Sequence, residues 1–149
     1  MSVNPELVGK TFPPAAPYLV GREKVREFSR AVFATAPVHL DAAAARAAGY
    51  ADVVAPATFA VVVQEATLAQ LLAEPDAGID FARVVHGEQR FRYERPIVAG
   101  DELTATLTVT GVKTLGGNAM VTAESAVVDA SGAHVVTATS TLVVRGDDA

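Results

Sequence analysis

Residues 59–72 read Phe-Ala-Val-Val-Val-Gln-Glu-Ala-Thr-Leu-Ala-Gln-Leu-Leu, a run that is apolar on almost every side, with Gln64, Glu65 and Gln70 as interruptions. A helix that is apolar nearly all round is a buried helix, and this one is too short and too interrupted to span a membrane. Glu74-Pro75-Asp76-Ala77-Gly78 closes it. Downstream, Leu103-Thr-Ala-Thr-Leu-Thr-Val-Thr110 alternates apolar and polar without a slip. That is the period of a strand with one buried face, and threonine is β-branched, so both faces favour extension. Leu115-Gly116-Gly117-Asn118 and Asp129-Ala130-Ser131-Gly132 are turn signals. They separate this strand from Met120–Val128, and Met120–Val128 from His134–Val144. Val84–Tyr93 is a further strand, ahead of Pro96 and the turn at Ala99-Gly100-Asp101. Two hairpins in succession predict an antiparallel sheet. One long buried helix followed by such a sheet makes an α+β domain.

Upstream of the helix the chain is less regular. Residues 1–16 are rich in proline and read as an extended lead-in, and residues 145–149 read as a frayed tail. A first short strand is predicted over Tyr18–Val20. A helix then runs from Arg22 to about Phe33, with Val25, Phe28, Ala31 and Val32 on one face, and Pro37 ends that element. A second helix, Ala42–Ala48, stops at Gly49. No repeat or linker divides the 149 residues, which read as a single domain from 1 to 149.

Composition narrows the chemistry. The formal net charge is −5, without the basic face that nucleic acid requires. There is no cysteine, so disulfides, thiolate metal sites and a thiol nucleophile are excluded together. The three histidines, at 39, 86 and 134, have no ligand spacing, so no metal site is expected, and no cofactor motif is present. The N-terminus has no charged-then-apolar signal layout, and the expected location is the cytoplasm.

Residues 34–41 read Ala-Thr-Ala-Pro-Val-His-Leu-Asp. The segment resembles the Asp-x-Asn-Pro-x-His-x-Asp loop of (R)-specific enoyl-thioester hydratases and dehydratases of the MaoC-like hotdog family. Pro37, His39 and Asp41 match. Ala34 stands at the catalytic aspartate position and Ala36 at the asparagine position. A methyl group can neither accept a proton nor orient a water, so the resemblance implies lost catalysis in this chain alone. Taken without the resemblance, His39 is either a general acid/base or a loop histidine bonded to nearby backbone.

Three further segments carry the likeness. Val54-Ala55-Pro56-Ala57-Thr58-Phe59 lies where catalytic members carry Ile-Ala-His-Gly at a helix start, whose amide helps bind the thioester oxygen. Pro56 and Ala57 replace His-Gly, and proline has no amide hydrogen, so this oxyanion corner is expected to be altered too. His86-Gly87-Glu88-Gln89 resembles a segment in the substrate-cradling half of two-domain eukaryotic hydratases. The bland alternative is a polar sheet face at a subunit contact. Pro96-Ile97-Val98-Ala99-Gly100-Asp101 recurs in MaoC-like proteins at a sheet turn, where it is architectural.

The whole pattern is most similar to the A-type subunit of actinobacterial (3R)-hydroxyacyl-carrier-protein dehydratases, a group that includes uncharacterised small dehydratase-like proteins. The resemblance implies a hotdog fold, an antiparallel sheet wrapped around the long central helix. It also implies an acyl-thioester substrate, on coenzyme A or a carrier protein, in fatty-acid metabolism. The implied partner is a B-type hotdog subunit bearing Asp-x-Asn-Pro-x-His, with a homodimer forming in isolation. Substrate contact is implied at Pro56, Ala57, Thr58, His86, Gly87 and Gln89. His39 departs from the A-type pattern, which keeps two alternatives open. One is a stand-alone homodimeric hydratase or thioesterase using His39 with a carboxylate from Asp41, Asp52 or Glu88. The other is a non-catalytic acyl-thioester-binding module.

Overall fold

Alternation and turn chemistry produce the strands where the sequence places them. The structure, a computed structural model, describes residues 2–146. Strand β1 (Tyr18–Leu19) precedes helix α1 (Arg22–Ala31), and two short helices, α2 (Pro37–Leu40) and α3 (Ala42–Ala47), lead to the long helix α4 (Ala60–Ala73). Four long strands follow: β2 (Val84–Tyr93), β3 (Glu102–Leu115), β4 (Asn118–Val128) and β5 (His134–Val144). They form one sheet in the order β1-β3-β4-β5-β2, antiparallel throughout. Along β3 the apolar set Leu103, Ala105, Leu107 and Val109 is buried, which is the face that alternation assigns.

The sheet curls around α4, and the core falls into two clusters along that helix. One gathers around Phe59, which stacks edge-on against Phe28 at a centroid distance of 5.3 Å. The other joins Leu71 to Leu107, Val109, Val121 and Leu142. Burial of α4 is one-sided, however. Ala60, Val63, Gln64, Thr67 and Leu71 are enclosed, whereas Val61, Val62, Leu68 and Leu72 are half-buried and Glu65 and Ala69 exposed. The curled sheet has room for one side of the helix only, so the expectation of a fully buried helix is corrected.

Other differences are local. Helix α1 stops at Ala31 because the chain turns left-handed at Phe33, φ 60. The Ala34 amide donates to the Ser29 carbonyl (2.8 Å) and the Phe33 amide to Arg30 (3.2 Å), the bond pair of a Schellman cap. Pro37 opens α2 rather than ending a helix, because the first helical position needs no amide donor. The lead-in is extended, as expected, but it is part of the fold. Val3, Leu7, Phe12 and Ala15 are buried, and the amides of Phe12 and Ala15 donate to Leu107 and Ala105 of β3. Residues 145 and 146 are bonded, not frayed: their amides donate to the Arg83 carbonyl and to Asn118 Oδ1. The rest of the expected tail, 147–149, lies outside the described residues.

Two ion clusters fasten the turns. Arg95 donates to both carboxylate oxygens of Asp101 (2.8 and 3.1 Å) and to Asp129 (3.2 Å), and Asp101 also accepts from the Val98 amide at 2.9 Å. This confirms the architectural reading of the Pro96–Asp101 turn and ties it to the β4–β5 hairpin. Arg22 grips Asp52 through two bonds, 2.9 and 2.7 Å. The Arg22 hydrogen bond holds the Asp52 carboxyl down at about 2, and bonds from Ser131 and then Arg95 do the same for Asp129. These carboxyls are depressed in the folded state, so their contribution is complete above the ordinary aspartate range. It disappears as the pH falls through that range toward about 2. Acid unfolding of Asp129→Asn, followed by circular dichroism, should therefore show a shallower loss of stability below about pH 4 than the parent chain. A left-handed phenylalanine costs about 1 kcal/mol, so Phe33→Gly should raise the urea midpoint by that equivalent.

Candidate functional site

The residues singled out in the sequence settle into two groups, one at the start of α4 and one on β2 beside the groove along that helix. The first surrounds the start of the helix. The His39 loop is laced to the segment before α4, since the Val54 amide donates to the Val38 carbonyl (2.9 Å) and His39 Nδ1 lies 2.6 Å from the Val54 carbonyl. A carbonyl only accepts, so Nδ1 carries the proton in that bond and Nε2 is left as the free ring nitrogen. His39 is thus half-buried and backbone-anchored, with one nitrogen available.

Pro56 is buried and Ala57 and Thr58 are exposed at the helix start. Among the described residues neither the Ala57 nor the Thr58 amide has an internal acceptor, and both stand at the positive end of the helical run 57–73. Replacing His-Gly by Pro56-Ala57 therefore removes the amide of residue 56 but keeps that of residue 57. The corner is altered without being emptied of donors. Tyr93, which sequence reasoning missed, donates its hydroxyl to the Ala57 carbonyl and lines a cleft of about 340 Å³ with Val54, Ala55 and Pro96. Burial pushes the Tyr93 phenol up to about 12, so it stays a donor.

Among the described residues no hydrogen bond joins His39 to a carboxylate, and the three carboxylates that the sequence offers it are engaged elsewhere. Ala34 offers a methyl group. Asp41 caps α3, accepting from the Ala43 amide at 2.9 Å. Asp52 is held by Arg22 and by the Val53 amide. Glu88 is bound by the Arg90 guanidinium through two bonds, 2.9 and 3.1 Å.

The second group centres on His86 and Gln89. His86 borders an apolar groove of about 410 Å³ that runs along α4 past Val61, Val62, Leu68, Leu72 and Phe81. Gly87 is the extra residue of a bulge between His86 and Glu88. Its close approach is to the neighbouring strand, where a Cβ would meet Val143 Cγ2 at 3.0 Å and the Thr141 carbonyl at 3.3 Å.

Behind His86 runs a chain of hydrogen bonds whose direction is fixed at its inner end. Gln64, fully buried on α4, donates Nε2 to the Ala138 carbonyl at 3.1 Å. Its Oε1 must then accept, and it does so from Gln89 Nε2 at 2.9 Å. That orients Gln89 Oε1 toward Ser140 Oγ (2.6 Å) and His86 Nε2 (3.0 Å), both of which donate. His86 is thereby held with its proton on Nε2 and its Nδ1 as an acceptor. Gln64 and Ser140 were not picked out from the sequence, although a glutamine interrupting an apolar helix was the available signal. Among the described residues no hydrogen bond links the His39 group to the His86 group.

A long helix in a curled antiparallel sheet, with a histidine loop at its start and an apolar groove along its open side, defines a hotdog domain of the dehydratase type. The chain belongs to the FAS1-like dehydratase family, matching its "FAS1-like, dehydratase domain region" over residues 6–138. A "UPF0336 protein" of Clavibacter michiganensis subsp. michiganensis is 79% identical over 149 residues, all of both chains. A solved MaoC-like dehydratase superposes with a TM-score of 0.87 at 39% identity, over 95% of this chain and 43% of that one. The present chain thus spans less than half of that dehydratase. The Mycobacterium tuberculosis HadBC complex, a (3R)-hydroxyacyl-ACP dehydratase, gives a TM-score of 0.82 at 31% identity over 92% of this chain and 96% of its counterpart.

Replacing Gln64 by leucine removes the buried bonds to the Ala138 carbonyl and from the Gln89 amide, and losing buried hydrogen bonds costs about 1–3 kcal/mol. Gln64→Leu should lose stability on that scale in denaturant melts. Nitrogen-15 spectra should show His86 passing from one dominant tautomer to a mixture.

Proposed function

We propose that this chain is the acyl-holding, non-catalytic subunit of a heteromeric dehydratase acting on (3R)-3-hydroxyacyl thioesters in fatty-acid metabolism. The observation that carries the reading is that, among the described residues, no carboxylate bonds His39, with Ala34 at the aspartate position and Asp41, Asp52 and Glu88 each engaged elsewhere. Removing water from a 3-hydroxyacyl thioester requires a base for the proton next to the carbonyl and an acid for the departing hydroxyl. A lone backbone-anchored histidine does not divide those roles. The second hotdog subunit, bearing Asp-x-Asn-Pro-x-His, supplies both.

This chain contributes binding. The groove along α4 is lined mostly by aliphatic side chains and Phe81, with Glu65 and His86 as its polar members, and it suits an acyl chain. His86, with Nδ1 facing outward as an acceptor, offers a polar contact at its rim. The Mycobacterium tuberculosis complex, whose name pairs two subunits, supports an assembly of this kind for the present chain. One observation favours the stand-alone enzyme as a second reading: the free Ala57 and Thr58 amides and the free His39 Nε2 lie on the same end of α4.

Hydration of a trans-2-enoyl thioester by the purified chain, alone and mixed with the carboxylate-bearing subunit of the same organism, decides between the readings. Turnover only in the mixture supports the binding-subunit role, and turnover by the chain alone sinks it. In the mixture, His39→Ala should leave kcat/KM within a few fold. A loss of about 100-fold, the scale of a missing general acid/base, would make His39 catalytic.

A further inference from the structure

Dehydration needs a base and an acid acting on different atoms, whereas hydrolysis of a thioester can be run by one group that serves first as base and then as acid. His39 is in the state that such a group requires. Its Nδ1 carries a proton bonded to the Val54 carbonyl at 2.6 Å, which leaves Nε2 as an acceptor without a partner among the described residues. A base that activates a nucleophile is held in its tautomer by a third group. Here a backbone carbonyl takes that place instead of a carboxylate, and its partial negative charge supports the ring once Nε2 is protonated.

The surroundings suit an acyl thioester. Val54, whose carbonyl holds His39, lines the cleft of about 340 Å³ together with Ala55, Ala57, Tyr93 and Pro96. Its charged members are Arg95, committed to Asp101 and Asp129, and the exposed Glu94, and neither bonds His39. The remaining walls are mostly apolar. The Ala57 amide on this lining has no acceptor among the described residues, and such a donor stabilises a carbonyl oxygen that gains negative charge.

We propose that the His39 cleft hydrolyses acyl thioesters, a reaction that needs neither a carboxylate nor a second subunit. Nε2 takes one proton from a water as the water oxygen bonds to the thioester carbonyl carbon, and the carbonyl electron pair moves onto its oxygen. The carbonyl then re-forms as the carbon–sulfur bond breaks. Sulfur leaves with the bonding pair and takes the proton back from Nε2. The products are a carboxylic acid and a thiol, and His39 returns to its starting tautomer. This activity goes beyond the binding-subunit reading and does not rest on it.

The probe is the octanoyl thioester of N-acetylcysteamine, incubated with the purified chain alone. A saturated chain without a 3-hydroxyl can be neither hydrated nor dehydrated, and the small thiol carries neither nucleotide nor carrier protein. Released thiol is read with an aromatic disulfide reagent, to which the chain itself is silent because it has no cysteine. The kcat/KM should exceed the second-order rate constant of free imidazole by about 100-fold or more. His39→Ala and His39→Gln should each lose about 100-fold, while His134→Ala, which alters a histidine bonded to Thr137 on β5, should leave the rate unchanged. Glutamine keeps a side-chain amide to donate to the Val54 carbonyl, so it removes the base even where alanine would loosen the loop. Thiol release no faster than with free imidazole, or release that survives both His39 substitutions, overturns the proposal. The same His39→Ala is expected to spare partner-dependent hydration, so the two readings fail separately.

Discussion

An apolar helix needs cover on every side, and a five-stranded sheet curled around α4 provides it on one. Most of what is distinctive in this domain follows from that shortfall. The covered side takes Val63, Gln64, Thr67 and Leu71 into the core, and the polar members are each matched by a group on the sheet. The uncovered side leaves Val61, Val62, Leu68 and Leu72 along a groove that no described residue fills. A surface of this kind in water is costly, at roughly 25 cal/mol per Å² of apolar area, and suits a ligand or a second subunit.

The same geometry sorts the polar residues. At the helix start the Ala57 and Thr58 amides are unbonded and His39 keeps one free ring nitrogen, while Asp41 and Asp52 are engaged with α3 and Arg22. Midway along the helix, a single fixed acceptor, the Ala138 carbonyl, sets the direction of a hydrogen-bond chain that ends at His86. One end presents unbonded backbone amides and the other a mostly apolar groove bordered by His86 and Glu65.

Much of this was legible in the sequence because it depends on local periodicity. The alternation at 103–110, the turn residues at 116–118 and 129–132 and the apolar run at 59–72 report on neighbours a few positions away. The observed β2 and β5 keep the spans read from those patterns. What escaped depends on contacts far apart in the chain. Gln64 meets Gln89 and Ser140 only after the sheet has curled, and the arm at 3–15 earns its burial from β3. The open side of α4 escaped for a different reason: an all-round apolar pattern records that cover is needed, not which molecule supplies it. Pro37 misled because proline both stops helices and starts them.

The N-terminal arm has one more consequence. It lies along the outer edge of β3, bonded through Gly9, Phe12 and Ala15, and it carries Pro13 and Pro14 with Pro17 just beyond. Prolines have no amide hydrogen to offer a further strand. The sheet is therefore sealed at one border and unsealed at the other, like a zipper with a stop sewn into one end. Growth through the unsealed border closes after a single addition if the newcomer is sealed in the same way. The arm thereby keeps strand-by-strand addition from starting at the β3 border.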